Sequence, residues 1–462
     1  MRLIEEHQKS NEELYRQTKV LSNGLTVVTE QMPYLHSVAF GVFVKVGSAN
    51  ESKQNNGIAH FIEHMLFKGT KRRSAKQIAD ETAEMGDTVN AYTTKEFTVY
   101  YGTVITESLP SLIDVLADML FHSVFEESAF QKEKGVIAEE IDMYEDSPDD
   151  LVHELLQKEV WKSHALGFFI SGEKKTLQKI KRQELVDFWK QYYRPENMVV
   201  SVAGKFEKET LFTQLETCFR REQEKKQACE IATYVAKQDI IKKESPYHVR
   251  YRQQRVSLTN PVYHTAFCVR KKDIEQVHMN LAFPCIRYAS EERYCFAILN
   301  SIFGSSNTSL LFQRVREERG LVYSIDSYGS SYEQTGLFHI DVVTNPEQIE
   351  QVFDLIVLCI EEMKQKKVTE EVLKTHKQQA RAELILGNEN ARNRMEANGK
   401  SQILSGAIVS VENTIKKLEQ VTQQEIQDFA NRYFDYKQLS VCIVGDTDGI
   451  AESLNVKRAM LS

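Results

Sequence analysis

Three side chains in HFIEHMLFK, residues 60–68, have the types and spacing to act together: His60, Glu63 and His64. On a helix, residues four apart leave the same face, so one cation could bridge both imidazoles. Glu63 lies one residue from that pair, near enough to act on a water beside the cation but displaced from the ligands. The order HxxEH is the reverse of the HExxH zinc-binding helix. The plain alternative is a satisfied pair of histidines on a partly buried helix. Ile58, Phe61, Ile62, Met65 and Leu66 make that helix apolar on most sides. Burying two imidazoles and a carboxyl there is costly unless something pairs with them, and a divalent cation would do so.

A catalytic zinc takes a third protein ligand and keeps one position open. The stretch QKEKGVIAEEIDMYEDS offers two adjacent glutamates, Glu139 and Glu140. Helical spacing puts Glu133, Val136, Ile137, Glu140, Ile141 and Tyr144 on one inward face, and Glu139 beside Gly135 and Asp142 toward solvent. An inward carboxylate on an apolar face needs a partner, which selects Glu140 as the ligand. Glu133, two turns earlier, is either a second carboxylate that orients a ligand histidine or a surface charge near the helix start.

These helices must be held by a scaffold. At 462 residues the chain is long enough for two to four domains. It is 42% hydrophobic and 27% charged, with 58 basic and 66 acidic residues and a net charge of −8. That is the balance of an ordinary globular protein, with no charge bias toward nucleic acid or an anionic membrane. No apolar run approaches a bilayer span. The N-terminal MRLIEEHQKS has neither the apolar core of a signal peptide nor the arginine-rich, acid-poor character of a transit sequence. Seven cysteines form no CxxC pair, and several sit in apolar patterns. They read as buried thiols of a reducing cytoplasm, not as metal ligands.

Strand and helix patterns alternate. NGLTVVTEQM and HSVAFGVFVKVGS read as strands, GIAHFIEHMLFKG as a helix between Gly57 and Gly69, and AKQIADETAEM as a helix capped by Ser74. Residues 184–204, ELVDFWKQYYRPENMVVSVAG, align without a gap with 425–445, EIQDFANRYFDYKQLSVCIVG. Phe188/Phe429, Tyr192/Tyr433 and Gly204/Gly445 are among the identities. A duplicated unit follows: an α/β (α+β) fold of two duplicated domains, each a mostly antiparallel sheet packed with helices. The expected partition is residues 18–222 for the metal-binding domain, 223–255 for a linker or insertion, and 256–462 for a second copy without the HxxEH motif.

Together these motifs resemble the pitrilysin/insulysin family of zinc metallopeptidases, in its compact branch, which includes the mitochondrial processing peptidase and soluble bacterial relatives. The resemblance runs from about residue 18 to 446. HFIEHMLFKGT is similar to the family's inverted zinc motif and GVIAEEIDMYEDSPDD to the segment that supplies its third ligand. The resemblance implies Zn²⁺ on His60, His64 and Glu140, Glu63 as general base, and a functional role for Glu133. VNAYTTKEFTVYY resembles the strand whose backbone, around Asn90 and Ala91, pairs with substrate. LFQRVREERGLVYSIDSY resembles the segment whose Arg316 and Tyr323 reach the substrate. From the residues alone, these two read as an exposed helix arginine and a core tyrosine.

What this implies is a zinc metalloendopeptidase acting on extended or unfolded peptides in the cytoplasm. Family members close the site between two double-domain halves, so a single half implies a dimer: a homodimer, or a heterodimer with a related chain. Two other readings stay open: a dedicated peptidase that trims the leader of one precursor, and a peptide-binding subunit without catalysis.

Overall fold

The computed structural model describes residues 15–86, 89–220 and 260–461. The expected linker at 223–255 lies outside the described residues. Two compact units divide the chain. The first takes residues 1–137, 174–260 and 391–403; the second takes 138–173, 261–390 and 404–462.

The first unit is built on a six-stranded sheet in the order β1-β2-β6-β3-β5-β4. Its strands are β1 (Arg16–Val20), β2 (Thr26–Gln31), β3 (Ser37–Val44), β4 (Asn90–Thr93), β5 (Thr98–Ile105) and β6 (Met198–Gly204). Only β2 and β6 run parallel; the other neighbours are antiparallel. The alternating apolar and β-branched residues seen in sequence fill both faces of β3 and β6, whose residues are almost all buried. The short strand β4 closes one edge and pairs only with β5 among the described residues.

The second unit carries a five-stranded sheet in the order β7-β11-β8-β10-β9, with β7 (Phe267–Lys271), β8 (Val277–Cys285), β9 (Val322–Ser331), β10 (Gly336–Thr344) and β11 (Ser440–Gly445). Its one parallel pair is β7 with β11. Strand for strand this repeats β2-β6-β3-β5-β4, which is the duplication expected from the gapless repeat. The repeated segment forms the same helix and strand twice, Arg182–Tyr192 then β6, and Gln423–Tyr433 then β11. Within it Phe188 packs on Tyr192 and Phe429 on Tyr433, with ring centroids 4.6 and 4.3 Å apart.

Each sheet is completed by a helix from the other half of the sequence. Helix Ala391–Ser405 lies on the first unit's sheet. Arg394 pairs with Glu30 of β2, Asn398 donates to the same carboxylate (2.6 Å), and Ser201 of β6 donates to the Met395 carbonyl (2.7 Å). A Cβ at Gly41 of β3 would overlap the Met395 sulfur, so a larger residue there would displace the Met395 side chain. Helix Pro148–Val160, from the first half of the sequence, packs in turn on β8 and β11 of the second unit. There His153 pairs with Asp341 of β10 (3.1 Å) and Asp149 with His278 of β8 (2.6 Å).

Candidate metal centre

The histidine helix spans Ile58–Leu66. It starts where Gly57, at φ 95°, takes the left-handed conformation that glycine adopts without a Cβ clash. Its first amides are capped from a distance. The buried Glu51 carboxylate accepts from the backbone N–H of Gly57 and of Ala59, both at 2.8 Å, and from Asn56 Nδ2 at 2.8 Å. A carboxyl group at a helix N-terminus satisfies orphan backbone donors. Burial pushes the Glu51 carboxyl up to about 8, against the pull of these donors.

His60 and Glu63 are buried, and the His64 side chain keeps 20% exposure. The two imidazole rings stand 4.6 Å apart, edge to face. The long helix Glu127–Asp146 brings Glu133 and Glu140 to them. The division between the two units passes within this helix, after Ile137, so both glutamates stand on one continuous element. One ligand atom each from His60, His64 and Glu140 lies within 4.8 Å of the others. A zinc with ligand distances of about 2.0–2.2 Å can draw such a group together with small side-chain adjustments.

The donor chemistry fits that ion. Two imidazoles and one carboxylate form a three-ligand set that leaves a position open for reaction. Glu133 Oε1 sits 2.9 Å from His64 Nδ1, which keeps the proton on Nδ1 and leaves Nε2 as the ligating lone pair. Lys68 bonds the other Glu133 oxygen at 2.8 Å. Burial raises the Glu133 carboxyl, but the bonds from His64 and Lys68 outweigh it and hold the group below the usual glutamate range. Glu133 is buried, so its place is behind His64 rather than on the surface.

Glu63 is held from the edge strand. Thr93 Oγ1, the last residue of β4, donates to Glu63 Oε2 at 2.5 Å. Beyond it the Tyr100 and Tyr193 hydroxyls bond each other at 2.8 Å. Burial, together with the nearby Glu63, pushes both phenols up. On β4 the Ala91 N–H donates to Asn90 Oδ1 (2.8 Å), and Asn90 is exposed.

Two expectations need correction. The inward face drawn on the long helix is too wide. Ile137, Ile141 and Glu133 are buried, but Val136 is 45% and Tyr144 39% exposed. The buried stripe is narrow, and Glu140 stands at its margin, half-buried. Tyr323 is not a core tyrosine: it opens β9 with 72% exposure. Arg316 is an exposed helix arginine, as read, in a wide-turn π segment, Phe312–Glu317, with its guanidinium over the Phe312 ring at 5.1 Å. Arg316 and Tyr323 belong to the second unit. Thr93, Lys68 and Glu51 were missed. Of these, only Lys68 carried a local signal, four residues after His64 and just past the end of the helix.

A family model described as "Insulinase (Peptidase family M16)" matches residues 26–174, and one described as "Peptidase M16 inactive domain" matches residues 179–380. A Bacillus subtilis protein named as an uncharacterized zinc protease, YmxG, is 37% identical over 412 residues, 89% of this chain and 94% of its own. The chain belongs to peptidase family M16. An uncharacterized zinc protease of Rickettsia felis is 34% identical over 430 residues, covering 93% of this chain and 97% of that one. The fold of this M16 chain is also that of a protease from Helicobacter pylori, with TM-score 0.80 at 19% identity over 93% of this chain and 99% of the other. The inverted zinc motif and the third-ligand segment of the chain both fall inside the first family match. Among the described residues, no helix of this M16 protein is long and apolar enough to cross a membrane.

Proposed function

We propose that this M16 chain is a zinc metalloendopeptidase that cleaves extended or unfolded peptides. The observation that carries the reading is the convergence of His60, His64 and Glu140 on one point, with Glu63 beside them on the same helix. Zinc, when bound there, supplies Lewis acidity and charge to peptide hydrolysis. His60, His64 and Glu140 hold it, and Glu133 fixes the His64 ring. Glu63 takes a proton from the attacking water and returns it to the leaving amine. A substrate chain adds as a strand along the open edge of β4, where its carbonyl replaces Asn90 Oδ1 as the acceptor for Ala91 N–H. Main-chain pairing of this kind is independent of sequence, which suits unfolded substrates.

Arg316 and Tyr323, both exposed, serve the same reaction as substrate contacts, with Tyr323 donating to the developing oxyanion. The working form is a homodimer, in which one chain's Arg316 and Tyr323 serve the partner's zinc. The compartment is the cytoplasm, where buried thiols such as Cys359 and Cys442 stay reduced.

The test measures zinc content, cleavage of dye-quenched casein and solution mass in one preparation, for the wild type and Glu63→Gln. Glu63→Gln is expected to keep its zinc and its mass while losing turnover. Casein cleavage at the wild-type rate by this variant would sink the reading. A monomeric mass with full activity would remove the dimer from it.

A further inference from the structure

The residue that links the reacting carboxylate to the substrate strand is Thr93. It ends β4, the strand whose outer edge is open among the described residues, and it is four residues before Phe97 in a tight connection to β5. The register pairs Thr93 with Thr98 and Ala91 with Tyr100. Side chains alternate along a strand, so Thr93, Ala91, Thr98 and Tyr100 share one face of the sheet. That face carries Glu63: the Thr93 hydroxyl donates to it at 2.5 Å, and the Tyr100 phenol feels its charge. The opposite face carries helix Ala391–Ser405.

The Thr93 hydroxyl has a second hydroxyl for a neighbour. Thr98 Oγ1 donates to the Val46 carbonyl at 2.8 Å and stands 3.4 Å from Thr93 Oγ1. The nearer acceptor for the one Thr93 hydrogen is Glu63, at 2.5 Å against 3.4 Å to Thr98 Oγ1. A hydroxyl is donor and acceptor at once. It can donate to Glu63 as a carboxylate and, after rotating, accept from Glu63 as a carboxylic acid, so it can serve both protonation states that a general base passes through. Charge-assisted O–H···O⁻ bonds are the short and directional ones.

We infer that Thr93 is a positioning residue for Glu63, and that it ties the base to the strand against which substrate adds. Ordering β4 by strand addition also orders the carboxylate beside it. This inference rests on the proposed peptidase reading and deepens it.

The test compares Thr93→Val, Thr93→Ser and Glu63→Gln on an internally quenched casein peptide, with zinc content and thermal denaturation measured for each. Valine keeps the shape and removes the hydroxyl; serine restores it. Loss of a hydrogen bond to a charged group predicts a fall in kcat of about 10- to 100-fold for Thr93→Val. Its KM is expected to stay within about twofold, because strand pairing uses backbone groups. Zinc content and denaturation midpoint are expected to match the wild type, and Thr93→Ser to recover most of kcat. Wild-type kcat in Thr93→Val, alongside an inactive Glu63→Gln, overturns the inference and leaves the peptidase reading standing. Loss of zinc from Thr93→Val, or no recovery in Thr93→Ser, also overturns it, since Thr93 then holds local structure rather than the base. If Thr93→Val does not fold, Thr93→Ala carries the same comparison. An active Glu63→Gln removes the reading itself.

Discussion

The two units share one strand order but differ in what fills it. Between β3 and β5 the first unit places the histidine helix and the four-residue β4; between β8 and β10 the second places helix Arg293–Phe303 and the ten-residue β9. Where the first helix buries His60 and Glu63, the second buries Tyr294, Ile298, Leu299, Ile302 and Phe303. The N-terminus of the first is held by the buried Glu51 carboxyl, and that of the second by Ser290 Oγ, which accepts from Glu292 N–H at 3.2 Å. A duplicated scaffold thus tolerates either an apolar or a ligating helix at the same place. Metal chemistry belongs to a few grafted side chains and their supports, not to the fold.

Breaking the site should not break the scaffold, and the largest effect tests this. Glu140→Ala is expected to empty the metal site and abolish cleavage while circular dichroism stays native. Full zinc in that variant would remove Glu140 from the ligand set.

The next effect falls on one unit alone. Each unit holds one of the two tryptophans, Trp189 in the first and Trp161 in the second, so single-tryptophan variants report the units separately. Arg394→Ala leaves Glu30 buried without its guanidinium, a loss of about 3–5 kcal/mol for a broken buried pair. The Trp189 transition should shift to lower denaturant. An equal shift of Trp161 would show that the units do not melt separately.

Glu133→Gln should leave both transitions in place and weaken zinc affinity or activity by about 10- to 100-fold, the usual loss for a ligand's hydrogen-bond partner. Unchanged affinity in a metal titration would return Glu133 to an ordinary buried ion pair with Lys68.

The smallest effects are in pH dependence, and their signs oppose each other. In the first unit, burial raises Asp118, but bonds from Thr70, Arg73 and Arg72 outweigh it and lower its pKa. The stabilisation is present above the unfolded aspartate value of about 3.9 and is lost as pH falls through the lower folded value. In the second unit, burial lowers His153, but the bond to Asp341 and the charges of Asp149 and Asp150 outweigh it and raise its pKa. That stabilisation is complete below about 6.5 and is lost as pH rises through the higher folded value. Asp118→Asn should flatten the acid side of the Trp189 stability profile, and His153→Gln the alkaline side of the Trp161 profile. The reverse pattern would contradict both assignments.

Much of this was legible in sequence. The i, i+4 spacing of His60 and His64 needs only a helix, and the gapless repeat revealed the duplication without any coordinates. The placement of Glu140 beside the two histidines was also readable, although by a face drawn too broadly: periodicity gives the angle between side chains but not how much of the helix circumference the neighbours cover. The reading of Tyr323 as a core tyrosine, made from the residues alone, went wrong for a related reason. At the start of an edge strand, an aromatic side chain can face solvent, and its β-sheet preference does not say which way it points. Thr93 acts across 30 residues through one hydrogen bond, and Glu51 across five to eight residues through three. Such contacts leave no period in a sequence. The exchanged helices were invisible because both copies contain the same element, and nothing local says whose sheet it covers.

The exchange also sets an order of assembly. The last strand of the first sheet ends at Gly204, but the helix that covers that sheet begins at Ala391. At about 5–20 residues per second, the ribosome needs roughly 10 to 40 s to make the intervening chain. Throughout that interval Glu30 waits for Arg394, and the sheet that supports the histidine helix has one bare face. The half that is synthesised first is therefore finished only near the end of translation, and a nascent chain interrupted before residue 391 would carry the zinc motif on an uncovered sheet.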